Sequence, residues 1–330
     1  MALILSRHDL QRCLDMRAAI EAMRGAFRAL HAGQVRMPQR SVVELSAQGQ
    51  ALLMPSRLDA PGQAAFGLKL ITLVADNDQR GLPRSFATVL LLDAASGRTL
   101  AIMEGRWLTA MRTGAVAGLA TELLARPDAD VLALFGAGAQ APMQVRAVHT
   151  VRPLREVRVV NRSDEHYAQL VSELNEALGK DCPRLVRAVD AHQALAGASL
   201  VACATASTAP LFHTRDIAPG THINAVGAYT PEMCEVDAET LARARIVVDQ
   251  RAAALVEAGD LLQAHAAGQI AGADTWLELG QLVSGEQPGR QSADEITCFK
   301  SVGLGIQDLF TAMQVYERAS AQGIGVEVDV

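Results

Sequence analysis

Gly136, Gly138 and Ala141 form the run G-x-G-x-x-A directly after the apolar stretch Val131 to Phe135. The first glycine permits a tight strand-to-helix turn, the second lets backbone N–H groups approach a phosphate, and the small third residue lets helix and strand pack closely. A helix that begins there offers unpaired donors and its positive dipole end to an anion. With a helix expected over Gln140 to Thr150 and a second buried strand over Val157 to Val160, Asp130 to Ser163 reads as a β-turn-α-β unit of the length used to hold a dinucleotide. Glycine turns before helices also serve packing alone; the flanking strands favour the nucleotide.

The end of the second strand bears on which dinucleotide fits. An NAD site usually carries Asp or Glu there, accepting from the ribose hydroxyls, whereas this chain has Asn161, Arg162 and Ser163. A carboxylate that would repel a 2′-phosphate is absent, and a guanidinium able to pair with one is present. The site therefore leans to NADP(H), and Arg162 as a solvated loop residue with NAD still accepted is the other reading.

Four cationic residues stand apart from this unit. Lys69 lies inside the apolar strand pattern F-G-L-K-L-I-T-L-V, where burial is costly without a partner or a polar cavity; an edge lysine that discourages aggregation is the alternative. Arg112 and Thr113 are the polar pair of an Ala-rich helix expected over Leu108 to Leu124, and their face should meet something polar. Arg36 and Arg40 flank Pro38 at a strand entrance, solvated or binding an anion.

The elements that position these groups follow from periodicity. Met16, Ile20, Met23, Phe27 and Leu30 make a helical stripe with Asp15 as cap and Gly33 as stop. Strands are expected at Ser41 to Leu45, Ala51 to Pro55, Ala65 to Val74 and Ser85 to Asp93, so the first part is rich in sheet. After Asp130, apolar strands alternate with helices: Leu200 to Ala204, His222 to Val226 and Arg245 to Val248 continue the series. That alternation means a doubly wound parallel sheet, α/β in class, with ligands beyond the carboxyl ends of its strands, where Thr205, Ser207 and Gly227 to Thr230 fall. The polar cluster Thr297 to Ser301 is expected to open a last helix running through Ala319, which could pack on either domain.

The 330 residues suggest two domains, and 50% hydrophobic with 20% charged residues is an ordinary globular composition. A net charge of −6 without a Lys/Arg block argues against nucleic acid as the partner. The 5 cysteines are scattered and the 8 histidines show no ligand spacing, so a reducing compartment and no metal are expected. The N-terminal apolar run is short for a signal peptide and no membrane-length apolar segment occurs, which places the protein in the cytoplasm.

Taken together, G-L-K-L-I-T-L-V-A-D-N, L-T-A-M-R-T-G-A, F-G-A-G-A-Q-A, H-I-N-A-V-G-A-Y-T-P and I-T-C-F-K-S-V-G-L-G-I-Q-D-L resemble the ornithine cyclodeaminase and mu-crystallin family over essentially the whole chain. The resemblance implies a homodimer, with residues 1–118 and 304–330 forming a substrate-binding and dimerisation domain and 119–303 a Rossmann domain, the active site lying between them. It implies that Arg40, Lys69 and Arg112 bind the substrate carboxylate, and that Thr113, Gly136, Gly138, Ala139 and Gln140 contact the phosphates. Thr205, Ser207, Val226, Ser301 and Gly303 match positions near the ribose and nicotinamide, and N-R-S at 161–163 is similar to the N-R-T of NADPH-preferring mu-crystallins.

One departure matters. Cyclodeaminases carry an aspartate in a G-x-D-x-P loop, and this chain has Tyr229 there, a neutral phenol that is neither counter-ion nor base at neutral pH. The reading that follows is NAD(P)H-dependent reduction of an α-imino acid to the L-amino acid, with Lys69 and Arg112 as catalytic residues and Tyr229 at the substrate. Alanine dehydrogenase-like deamination, ornithine cyclodeamination and a non-catalytic crystallin-like binder are the alternatives.

Overall fold

The computed structural model describes Met1 to Asp329. The chain divides into two compact units, Met1–Arg112 together with the residues from Leu304 onward, and Thr113–Gly303.

The first unit is built on β1 (Ala2–Leu5), β2 (Val35–Arg36), β3 (Ser41–Ser46), β4 (Gly49–Ala60), β5 (Gln63–Val74), β6 (Ser85–Asp93), β7 (Thr99–Glu104) and the closing strand Val326–Val328. In space the order is closing strand, β1, β7, β6, β5, β4, β2, with β3 also paired to β4. Only β1 and β7 run parallel among these pairs. Helix α1 (Arg7–Cys13) leads into α2 (Met16–His31), whose first turn is capped by Asp15 accepting from Ala18 N at 2.8 Å. The stripe Met16, Ile20, Met23 and Phe27 is buried, as its spacing requires.

The C-terminal helix Gly305–Gln322 packs on α2 and on β4, β5 and β6, which answers the choice its sequence left open. It lies so close on β5 that a Cβ at Gly67 would stand 3.0 Å from Leu309 Cδ1. Side chains of a strand alternate between faces, and in β5 Ala65, Gly67 and Lys69 are buried while Leu70 is exposed. Lys69 therefore belongs to the helix-covered face. The edge-lysine alternative fails, because β5 is paired on both sides, with Met54 and Val89 opposite Lys69. Leu70 and Phe86 on the other face remain exposed, as do Val42, Val43 and Leu45 of β3.

The second unit holds β8 (Val131–Phe135), β9 (Glu156–Val160), β10 (Arg184–Arg187), β11 (Leu200–Cys203), β12 (His222–Ala225), β13 (Ala244–Val248), β14 (Leu277–Glu278) and β15 (Ile296–Lys300). All pairings are parallel, in the order β10-β9-β8-β11-β12-β15-β13-β14. Residues of β8, β11, β12 and β15 are wholly buried, which is what near-continuous apolar strands between two helix layers demand. The second unit is the expected Rossmann-type doubly wound sheet, and the first is the expected sheet-rich domain completed by the last helix.

One element differs from expectation. Thr297 to Ser301 does not open the last helix: Thr297 to Lys300 lie inside β15, between β12 and β13. The polar residues are buried there because each has a partner, Thr297 with His222 and Lys300 with Asp260.

Helix α3 (Gly105–Leu124) carries the chain from the first unit to the second, and the division falls between Arg112 and Thr113 rather than after residue 118. Thr113 and Gly114 already pack on helix α4 (Ala141–Val151): Gln144 Nε2 donates to Thr113 O at 3.2 Å, and a Cβ on Gly114 would stand 2.5 Å from Met143 O. Gly114 of α3 is thus explained by close helix approach.

Candidate active site

In the first unit a buried charge cluster forms where β5, the C-terminal helix and α3 meet. Lys69 Nζ stands 2.8 Å from Asp308 Oδ2, and Arg112 Nε stands 3.0 Å from Asp308 Oδ1. Arg112 Nη1 donates to Gln307 Oε1 at 2.7 Å. Lys69 and Asp308 are each 2% exposed and Arg112 5%. Two cations share one carboxylate in a place that water barely reaches, so the cluster carries an excess of positive charge that an anion would relieve.

The donor inventory shows which groups are left to meet such an anion. Arg112 commits Nε and Nη1 to protein acceptors, while its Nη2 makes no hydrogen bond among the described residues. Gln307 Nε2 is also buried without a partner. Arg40, half-buried at the entrance to β3, is close enough for its charge to act on Lys69. Burial first, and then the Arg112 charge, push the Lys69 ammonium down to about 7, against the opposing pull of Asp308. A lysine in that range gives up and regains a proton at neutral pH.

In the second unit the expected nucleotide residues gather at the carboxyl ends of the parallel strands. Gly136 follows β8 with φ 97°, in the left-handed region, and a Cβ there would stand 2.7 Å from Ala204 O, so only glycine fits beside the loop after β11. At Gly138 an added Cβ would meet nothing within 4 Å, so the turn opens onto free space before α4. Ala139 and Gln140 complete the turn, and Ala141 is fully buried at the helix start. A cradle of this shape fits a pyrophosphate on the α4 N-terminus.

The other positions flank that turn. Asn161, Arg162 and Ser163 follow β9: Asn161 Nδ2 donates to Ser163 O at 2.7 Å, Ser163 Oγ caps helix α5 (Asp164–Leu178), and Arg162 is exposed. Thr205 and Ser207 follow β11, Val226 and Tyr229 follow β12, and Ser301 and Gly303 follow β15. Thr113 lies on α3, its carbonyl bonded to α4. The strand order places Asn161 to Ser163 on one side of the glycine turn and the β11, β12 and β15 ends on the other, as the two halves of a dinucleotide require.

The sequence reading missed the acids that hold these groups. Asp308 was visible only as part of I-Q-D-L, and its partnership with Lys69 joins segments far apart in the chain. Asp249, buried at the end of β13, accepts from Ser301 Oγ, Val302 N and Gly303 N, each at 2.9 Å, and so sets the loop after β15. A buried acid beside a glycine-bearing loop is a usable signal, but its partner is not readable from spacing.

Comparison with known proteins shows the family. The model of the ornithine cyclodeaminase/mu-crystallin family matches residues 1–323. A Delta(1)-pyrroline-2-carboxylate reductase of Bacillus cereus is 36% identical over 329 residues, covering 99% of each chain. The structure of Thermococcus litoralis Delta(1)-pyrroline-2-carboxylate reductase in complex with NADH and L-proline superposes with a TM-score of 0.93 at 36% identity, covering 99% of this chain and 100% of that one. An archaeal alanine dehydrogenase dimer with bound NAD gives a TM-score of 0.90 at 32% identity, covering 99% of both chains. A whole-length family match and relatives of this identity lead to one conclusion: the chain belongs to the ornithine cyclodeaminase/mu-crystallin family.

Proposed function

We propose that this chain is an NAD(P)H-dependent reductase of α-imino acids, forming the L-amino acid, with a cyclic imine such as pyrroline-2-carboxylate or piperideine-2-carboxylate ahead of an open one such as iminosuccinate. The observation that carries the reading is the Arg112 side chain, which spends two nitrogens on Asp308 and Gln307 and keeps Nη2 for another acceptor, beside a lysine near neutrality. A carboxylate next to a C=N bond supplies that acceptor. Arg112 and Arg40 hold it, and the planar guanidinium orients it. Lys69 gives its proton to the imine nitrogen, and Asp308 keeps enough positive character on Lys69 for it to be reprotonated. Bound on the glycine turn, the reduced nicotinamide supplies the hydride. The matched motifs contain no further arginine for a second carboxylate, which favours a monocarboxylate.

Tyr229 stands where a cyclodeaminase needs an ionised carboxylate, so ornithine is not the substrate. NADPH is preferred over NADH, because Arg162 is exposed at the end of β9 where an NAD site would place an acid. The protein works as a homodimer: the exposed Leu70, Phe86, Val42, Val43 and Leu45 of the first unit's sheet give a second copy an apolar face to cover. Five unpaired cysteines fit a reducing, cytoplasmic setting, and no helix among the described residues is long and apolar enough to cross a membrane.

The test is loss of NADPH or NADH absorbance with cyclic imines, pyruvate plus ammonia, iminosuccinate and ornithine, in wild type and in Lys69→Ala and Arg112→Ala proteins. Turnover of a cyclic imine that both substitutions abolish supports the reading. Equal background in all samples leaves a nucleotide-binding protein without turnover.

A further inference from the structure

From β8 the chain moves outward to β9 and β10 and returns on the other side of β8 as β11, so the switch point of the sheet lies between β8 and β11. Ligands of such sheets lie beyond the carboxyl ends of the strands at that point. The loops after β11 and β12 are on the side away from Asn161 to Ser163, where the nicotinamide end belongs.

Both loops are gripped by one side chain that neither the glycine motif nor the cationic cluster accounts for. Glu235 is 0% exposed. Its Oε1 accepts from Thr205 N at 2.7 Å and Thr205 Oγ1 at 2.8 Å, and its Oε2 accepts from Gly227 N at 2.8 Å and Ala228 N at 3.0 Å. The loops approach so tightly that a Cβ on Gly227 would stand 2.3 Å from Glu235 Oε1 and 2.3 Å from Thr205 O. Glu235 is itself held from below: Asp260 Oδ1 accepts from the N–H of Glu235 at 2.5 Å and of Val236 at 2.9 Å, and Asp260 Oδ2 stands 2.5 Å from Lys300 Nζ. Lys300 ends β15, directly before the Ser301 to Gly303 turn that Asp249 fixes.

We infer that Glu235 is a positioning residue that locks the loops after β11 and β12 into one platform for the nicotinamide half of the dinucleotide, with the Asp260–Lys300 pair tying that platform to the loop after β15. The inference rests on the dinucleotide reading. A carboxylate is required rather than any polar group, because four donors converge on it and a donor on either oxygen position would face two N–H or O–H groups. The glycine turn and the Asn161 to Ser163 end make none of these hydrogen bonds; Gly136 packs against the loop after β11, while Asn161 to Ser163 at the adenine end hold themselves through Asn161 and Ser163 and do not depend on Glu235.

The experiment is titration calorimetry of the full-length protein with NADPH, NADH and ADP-ribose, which lacks the nicotinamide. Glu235→Gln, which keeps shape but turns one oxygen into a donor, should weaken the reduced dinucleotides by at least about tenfold and leave ADP-ribose within about twofold. Glu235→Asp, one methylene too short to reach both loops, should show the same split. Equal weakening of all three nucleotides, no weakening, or failure of both variants to fold would overturn the inference. A wild-type protein that binds none of the three would instead overturn the dinucleotide reading itself.

Discussion

Replacing Asp308 by Asn tests the claim that this acid holds Lys69 in its working range. The Lys69 ammonium stands 2.8 Å from Asp308 Oδ2. At an effective dielectric of about 20 the attraction at that distance is about 6 kcal/mol, or about 4 pH units on the lysine. Relaxation of Arg112 and entry of water reduce this, so a fall of at least about one unit from the value near 7 is expected. For imine reduction the protonated lysine is the active form, so kcat/KM in the wild type is level below about pH 7 and falls above it. In Asp308→Asn the break should move to about pH 6 or below, with a rate at neutral pH at least about fivefold lower that recovers in part as the pH is lowered. Two buried cations lose their shared counter-ion as well, which costs about 3–5 kcal/mol of stability, so the profile is read only where circular dichroism shows a folded protein. A variant with the wild-type pH break and rate would refute the role given to Asp308.

The remaining predictions address other parts of the account. Arg112→Ala should raise KM for the imino acid and lower kcat/KM by about 2–5 kcal/mol of binding, while titration shows the dinucleotide affinity little changed. Arg162→Ala should lower kcat/KM with NADPH and leave NADH within a few fold; equal loss with both would remove Arg162 from 2′-phosphate recognition. His222, fully buried between Thr297 Oγ1 at 2.9 Å and Asn224 Oδ1 at 3.2 Å, is held down to about 3, chiefly by burial. Its folded value lies below its unfolded one, so stability is complete above about pH 6.5 and is lost as the pH falls; between about pH 7 and pH 5 the loss is about 2 kcal/mol, measurable by urea unfolding and reduced in His222→Gln.

Much of this architecture was legible because local rules governed it. The glycine turn, α2 with its Asp15 cap and the alternation after Val131 each follow from periodicity or turn chemistry, and the strand ends that gather Thr205 and Ser207 follow from the parallel sheet. What was not legible depends on partners remote in sequence. Lys69 read equally as an edge residue until Asp308 was found opposite it, and Thr297 to Lys300 read as a polar helix start because their partners His222 and Asp260 lie on other elements. Glu235 and Asp249 sit among ordinary loop acids, and only the backbone N–H groups folded around them reveal what they hold.

The central claim is that this chain delivers a hydride to the carbon beside a carboxylate while Lys69 protonates the nitrogen. The most direct measurement uses NADPH carrying deuterium at the transferable C4 position, pyrroline-2-carboxylate as substrate, and mass and NMR analysis of the product. The account predicts L-proline with deuterium on Cα, formed by the wild type and lost in Lys69→Ala. Unlabelled product, deuterium elsewhere in the ring, or no oxidation of NADPH or NADH with any imino acid would contradict it.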